Sequence, residues 1–239
     1  MTISVKERSN QRNSALTAGI SLIIMAIAGF FSYGFVHGSL VVQGDASATF
    51  NNIAASDILF KGGIFSWLII LITDILAAWA LYVFLEPLHR SLSLLGAWLR
   101  LVYSTILGIA ILNLIVVLIL TRHTNDFSSF TIEQIQSLVM LFLEAFESMW
   151  SIGLIVFGGH LLVVGYVALQ SEGIPKVISI LLLLASVGYI AIHLGETFLP
   201  HYDGAIAILN LAFFIPMVAG ELGFGIWLLL RGGKLPKGA

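Results

Sequence analysis

Four residues of this chain have the chemistry to hold a proton or a small ligand in an apolar setting: Asp74, Arg100, His160 and Glu221, each set inside a long apolar run. An ionisable group in hydrocarbon costs several kcal/mol unless it is paired or hydrated, so such positions are the first candidates for function. At 1.5 Å per residue from the near ends of their runs, all four fall at a depth of roughly 13 to 17 Å, close to a bilayer midplane. Asp74 lies fourteen residues before a turn near Leu88 and Arg100 twelve after it, so antiparallel packing levels the two and an ion pair is expected. The plainer reading of that pair is a salt bridge that pins two helices; the sharper one is a gate or ligand clamp. His160 follows Gly158 and Gly159, whose bare backbone lets a neighbouring helix come close. A lone histidine there is more often a packing residue than a ligand. With Asp74, Glu221 and Arg100 charged, however, the layer carries one negative charge that a proton on His160 would cancel.

A second layer holds Glu144, Glu147, His193, Glu196, His201 and Asp203. His193 and Glu196 are three apart and share a helix face, as do Glu144 and Glu147. Glu147, His193 and Glu196 are therefore candidate ligands for Zn²⁺, Mn²⁺ or iron. Di-iron bundles repeat a Glu-x-x-His pair and add further glutamates, whereas this chain has the reversed order once. The alternative is that these groups sit in the wet headgroup zone and need no metal. Neither H-E-x-x-H, G-x-S-x-G nor a Walker glycine loop occurs, and with no cysteine there is no thiolate site and no disulfide. No cofactor is predicted, with a metal ion left open at the outer layer.

The elements that must position these groups follow from composition. Of 239 residues, 59% are apolar and 10% charged, too little charge to coat a surface in water. The apolar residues fall in runs of about twenty, the length of a membrane-crossing helix. The expected fold is all-α: a polytopic transmembrane bundle of about six spans, near Ala15 to Val36, Gly62 to Leu85, Ser91 to Thr121, Met149 to Gln170, Pro175 to Leu199 and Ala205 to Leu230. The first run is too long for a signal-peptide core and is expected to be retained. Nine of the eleven Lys and Arg residues gather on the side of the N-terminus, leaving Lys61 and Arg122 opposite. Both termini are therefore expected in the cytoplasm. Two outer interfacial amphipathic helices are expected, one within Val41 to Gly63 with Asp45 as N-cap, and one over Thr131 to Glu147. In the second, Thr131 and Gln134 have capping-box spacing, and the helix is expected to turn into the fourth span. The tryptophans read as interface anchors, and Pro216 as a kink in the last span. Residues 1–239 form one integral membrane domain with short tails, 1–13 and 231–239. Its partner is the lipid bilayer; nothing suggests nucleic acid, and a homo-oligomer is compatible with the glycine spacing.

Gln43-Gly44-Asp45, Asn52-Ile53-Ala54-Ala55-Ser56, Leu59-Phe60, Asp74, Leu81-Tyr82, Arg100-Leu101, Gly153-Leu154, Phe157-Gly158-Gly159-His160, Gly165-Tyr166, Gly173-Ile174-Pro175-Lys176 and Glu221 with Trp227-Leu228-Leu229 occur in this order. In that pattern the chain resembles the bacterial multi-pass family catalogued as domain of unknown function 4386, from about Asn13 to Arg231. The resemblance implies a bacterial inner-membrane bundle of six or seven helices, and brings no reaction, ligand or catalytic residue. His193, Glu196 and the Glu144 to Glu147 pair are not part of the pattern. Three functions stay open: small-molecule or proton-linked transport or sensing at the midplane site, a membrane-embedded metal-dependent enzyme at the outer cluster, and a structural membrane subunit.

Overall fold

A computed structural model describes residues 5–122, 129–199 and 202–232 of the chain. Among them every regular element is helical: α1 (Val5–Gly29), a π-helix (Phe30–His37), α2 (Gly38–Leu40), α3 (Ala46–Ala55), α4 (Asp57–Arg122), α5 (Ile132–Gln170), α6 (Lys176–Phe198) and α7 (Asp203–Arg231). Five helical stretches are long and apolar enough to cross a membrane. One of these, α4, has 66 residues and is broken at His89, so it supplies two crossings. An all-helical membrane bundle is thus the fold. His201, Lys234 and Lys237 lie outside the described residues, as does the side chain of Asp203.

The break in α4 has a local cause. Pro87 has no N–H to donate and disfavours helical backbone in the residue before it. His89 then adopts an extended conformation, φ −159° and ψ 92°. Its Nδ1 accepts from the Leu92 N–H (3.3 Å), and Ser93 Oγ donates to its carbonyl (2.8 Å), so a histidine caps the returning limb.

The expected caps form. Asp45 accepts from the Ala48 N–H at 2.8 Å and starts α3. Thr131 and Gln134 exchange both bonds of a capping box: the Thr131 N–H donates to Gln134 Oε1 (2.9 Å) and the Gln134 N–H to Thr131 Oγ1 (3.3 Å). Beyond that cap the structure differs from expectation. Instead of turning near Glu147, α5 is helical at every residue from Ile132 to Gln170, 39 residues in all. No Gly or Pro stands between Thr131 and Ile152 to interrupt it, so the amphipathic stretch and the fourth span are one rod. The π-helix was not expected either. It places Ser32 and Val36 inside and ends where the Gly38 N–H reaches the carbonyls of Tyr33 and Phe35.

The chain divides into two compact units. The first comprises the described parts of Met1–Ile24, Ile72–Thr105 and Ser151–Ala239. Its core holds Ala15, Ala18, Phe84, Leu182, Ala185 and Leu228. Small residues set its close contacts: a Cβ on Gly158 would stand 2.7 Å from Ile190 Cγ1 and 3.1 Å from the Ser186 carbonyl, so only glycine lets α5 and α6 meet there. Arg12 donates to the carbonyls of Leu228 (3.1 Å) and Leu229 (2.6 Å), tying α1 to the last turn of α7.

The second unit comprises Met25–Leu71 and Ile106–Trp150. Asp57 pairs with both Lys61 and Arg122, so the two limbs of α4 end side by side. Trp67 meets Phe146 (ring centroids 5.0 Å) and Trp150 (4.9 Å) edge-on, and Tyr33 meets Trp150 at 5.1 Å. With 4% exposure Trp67 is a core residue and not the interface anchor its position near a span end suggests.

Candidate functional site

Asp74 and Arg100 face each other within the first unit because the turn at His89 folds the two limbs of α4 back at nearly equal distances. Arg100 Nε lies 2.8 Å and Nη2 2.7 Å from Asp74 Oδ1. The exposures of Asp74 and Arg100 are 1% and 2%, so the pair is desolvated and survives only because each charge has a partner. The guanidinium also stands 5.2 Å from the centre of the Phe157 ring. Ser104 Oγ donates to the Arg100 carbonyl (2.8 Å), a local helix bond.

His160 completes the group. Its Nε2 is 3.0 Å from Arg100 Nη1 and its Nδ1 is 2.8 Å from the Gly96 carbonyl. A guanidinium only donates and a carbonyl only accepts, so the partners fix the ring: Nδ1 carries the proton and Nε2 is the acceptor. His160 is therefore a neutral imidazole here. The charge arithmetic that reserved a proton for it does not match this geometry, because both ring nitrogens are already engaged.

Glu221 comes to the same place from α7. It takes a 2.8 Å hydrogen bond from the phenol of Tyr189 on α6, and it has no ion-pair partner among the described residues. Arg100, His160 and Glu221 border one cavity of about 10 Å³, which Leu22, Leu81, Leu161, Val164, Leu182 and Phe224 also line. That is room for about one water molecule. Phe157 packs against His160 (5.6 Å) and, edge-on, Tyr189 (5.2 Å), fixing both rings. All four midplane candidates are thus brought together, as an ion pair, a neutral histidine and a separate acid.

Sequence reasoning missed Tyr189. A phenol in the middle of a span was the available signal, since a tyrosine acting as anchor belongs at the end. Gly96, whose carbonyl is what matters, has no such signal.

The outer candidates meet in smaller groups. His193 Nδ1 donates to Glu196 Oε2 (2.8 Å), and Ser151 Oγ stands 2.9 Å from the same nitrogen and donates to Glu196 Oε2 (3.3 Å). Serine and carboxylate share one ring nitrogen, whereas a nucleophilic triad needs both. Glu147 pairs with His37 instead (3.0 Å). Glu144 is exposed. Among the described residues no three His, Cys, Asp or Glu side chains converge as a metal site requires; His193 and Glu196 belong to the first unit and Glu147 to the second.

Over 169 residues the chain is 31% identical to an uncharacterized protein of Archaeoglobus fulgidus, covering 71% of this chain and 83% of that one. No solved structure matches it. Residues 17–232 match the family described as Domain of unknown function (DUF4386). With nine-tenths of its length inside that match, the chain belongs to this family.

Proposed function

We propose that the protein is a proton-linked transporter or sensor of small molecules in the bacterial inner membrane, with Glu221 as its proton-binding group. The observation that carries this reading is the unequal treatment of the two acids. Asp74 spends its charge on Arg100, whereas Glu221 has only the Tyr189 phenol. A carboxyl at that depth without a cation is most cheaply neutralised by a proton. Glu221 borders the same small apolar cavity as Arg100 and His160, so a charge appearing on it would act on both at short range. Such a charge competes with Asp74 for the guanidinium, and that competition is the means by which a proton would bias two packings of the helices. The bias of Lys and Arg toward the side of the N-terminus supports cytoplasmic termini.

Infrared difference spectra of the reconstituted protein, taken between alkaline and acidic buffer, test it. A protonated-carboxyl band is expected that Glu221→Gln removes and Tyr189→Phe shifts. A band untouched by Glu221→Gln, or no band at all, overturns the assignment and leaves the charged layer as a structural pin.

A further inference from the structure

Glu221 needs a way to reach water, and one face of α6 supplies it. Ser186, Tyr189, His193 and Glu196 follow one another at spacings of three, four and three residues, which places them on a single helix face. The face begins beside the cavity, which Leu182 lines one turn earlier. It ends at Glu196, whose side chain is 41% exposed at the last turns of the helix. Along it the polar groups are connected. Tyr189 donates to Glu221 (2.8 Å), the rings of Tyr189 and His193 lie nearly parallel with centroids 6.1 Å apart, and His193 donates to Glu196 (2.8 Å). Ser186 Oγ is buried and has no hydrogen-bond partner.

We infer that Glu221 exchanges its proton with the membrane side on which α6 ends, through Glu196, His193 and Tyr189, and not with the side that carries Arg231. The inference rests on Glu221 being the proton-binding group and adds the route. Each transfer moves one proton. With Glu196 protonated and His193 in its Nε2–H form, the ring gains one proton from Glu196 at Nδ1 and releases one from Nε2 toward Tyr189; this leaves the Nδ1–H form that donates to Glu196, and tautomer exchange resets it. The Tyr189 oxygen takes that proton as its own phenolic proton crosses to Glu221 Oε1. The groups that face this path from neighbouring helices are Ser151 on α5, beside His193, Tyr103 on α4, near Tyr189, and Arg100 and His160 on α4 and α5, near Glu221, with Asp74 behind Arg100. The pair Asp74 and Arg100 cancels, so the path crosses no net fixed charge before Glu221.

A pH jump followed by time-resolved infrared detection of the Glu221 carboxyl band tests the route in the full-length reconstituted protein. His193→Phe is expected to slow filling of Glu221 by about tenfold or more while leaving its final extent unchanged, and Tyr189→Phe, which also removes the hydrogen bond to Glu221, is expected to slow it by a similar factor. Free imidazole is expected to restore the rate in His193→Gln but not in Tyr189→Phe. In vesicles, acidifying the Glu196 side is expected to fill the site faster than acidifying the Arg231 side. Unchanged rates in both variants, no rescue by imidazole, or faster filling from the Arg231 side would each overturn the route. Absence of the band in the unsubstituted protein would instead overturn the role of Glu221 itself.

Discussion

Arg100 directs Nε and Nη2 to a single oxygen of Asp74, Oδ1, and turns Nη1 to His160, so one guanidinium ties the two limbs of α4 to α5. Removing one member strands the other charge in a dry core. Arg100→Met or Asp74→Leu alone is therefore expected to lower stability by about 3–5 kcal/mol, measured by denaturant titration in detergent. The double variant Asp74→Leu/Arg100→Met should recover most of that loss, since it leaves no buried charge. A double variant that loses the sum of the two single losses would show that the two residues act independently.

His160 is expected to be the neutral Nδ1–H tautomer, a form that nitrogen NMR of labelled histidine distinguishes from its alternatives. His160→Phe keeps a ring of similar bulk but leaves one arm of Arg100 without its acceptor, while the Gly96 carbonyl keeps its place in the α4 ladder. The stranded arm is expected to cost about 1–3 kcal/mol in the same denaturant titration. An Nε2–H tautomer would contradict the assigned hydrogen bonds.

Gly158→Ala is expected to destabilise by about 1–3 kcal/mol, because the new methyl meets both Ile190 and the immobile Ser186 carbonyl. Gly159→Ala, whose methyl would meet only Leu99 at 3.7 Å, should be nearly neutral. Ile190→Ala added to Gly158→Ala should relieve part of the strain. Equal effects at the two glycines would rule out close approach of α5 and α6 as the cause.

Thr131→Ala removes one arm of the capping box and is expected to cost about 1 kcal/mol. The effect should be confined to the first turn of α5, seen as faster amide hydrogen exchange there and unchanged exchange around His160. Faster exchange throughout α5 would instead make Thr131 a support of the whole rod.

What could be read from the sequence was what depends on chain distance alone. The cap at Asp45, the box at Thr131 and Gln134, and the common level of Asp74 and Arg100 are all consequences of counting residues along a helix or around a turn. The uninterrupted course of α5 is equally countable, since no breaker separates Glu144 from Ile152, but a switch from amphipathic to apolar pattern looks the same in sequence whether or not the helix bends there. Rotation about a helix axis was not legible. Whether His160 or Glu221 would face Arg100 with a hydrogen bond or across a cavity depends on how α5 and α7 are turned. That is set by close contacts such as Gly158 on Ile190 and Gly220 on the Leu181 backbone. The pairing of Glu147 with His37 depends on such rotation too and has no signal in the spacing.

The interruption of α4 occupies a single residue, His89, leaving no slack between its two limbs. Covalent geometry therefore meters the chain from Asp74 to Arg100, and length is as restrictive a parameter as side-chain identity. One residue inserted between Ser93 and Arg100 would rotate the guanidinium by about 100° and advance it about 1.5 Å, aiming a permanent cation at lipid. Natural variation in chain length should accordingly be absorbed elsewhere, for example in the connection between α4 and α5, and be excluded from this hairpin.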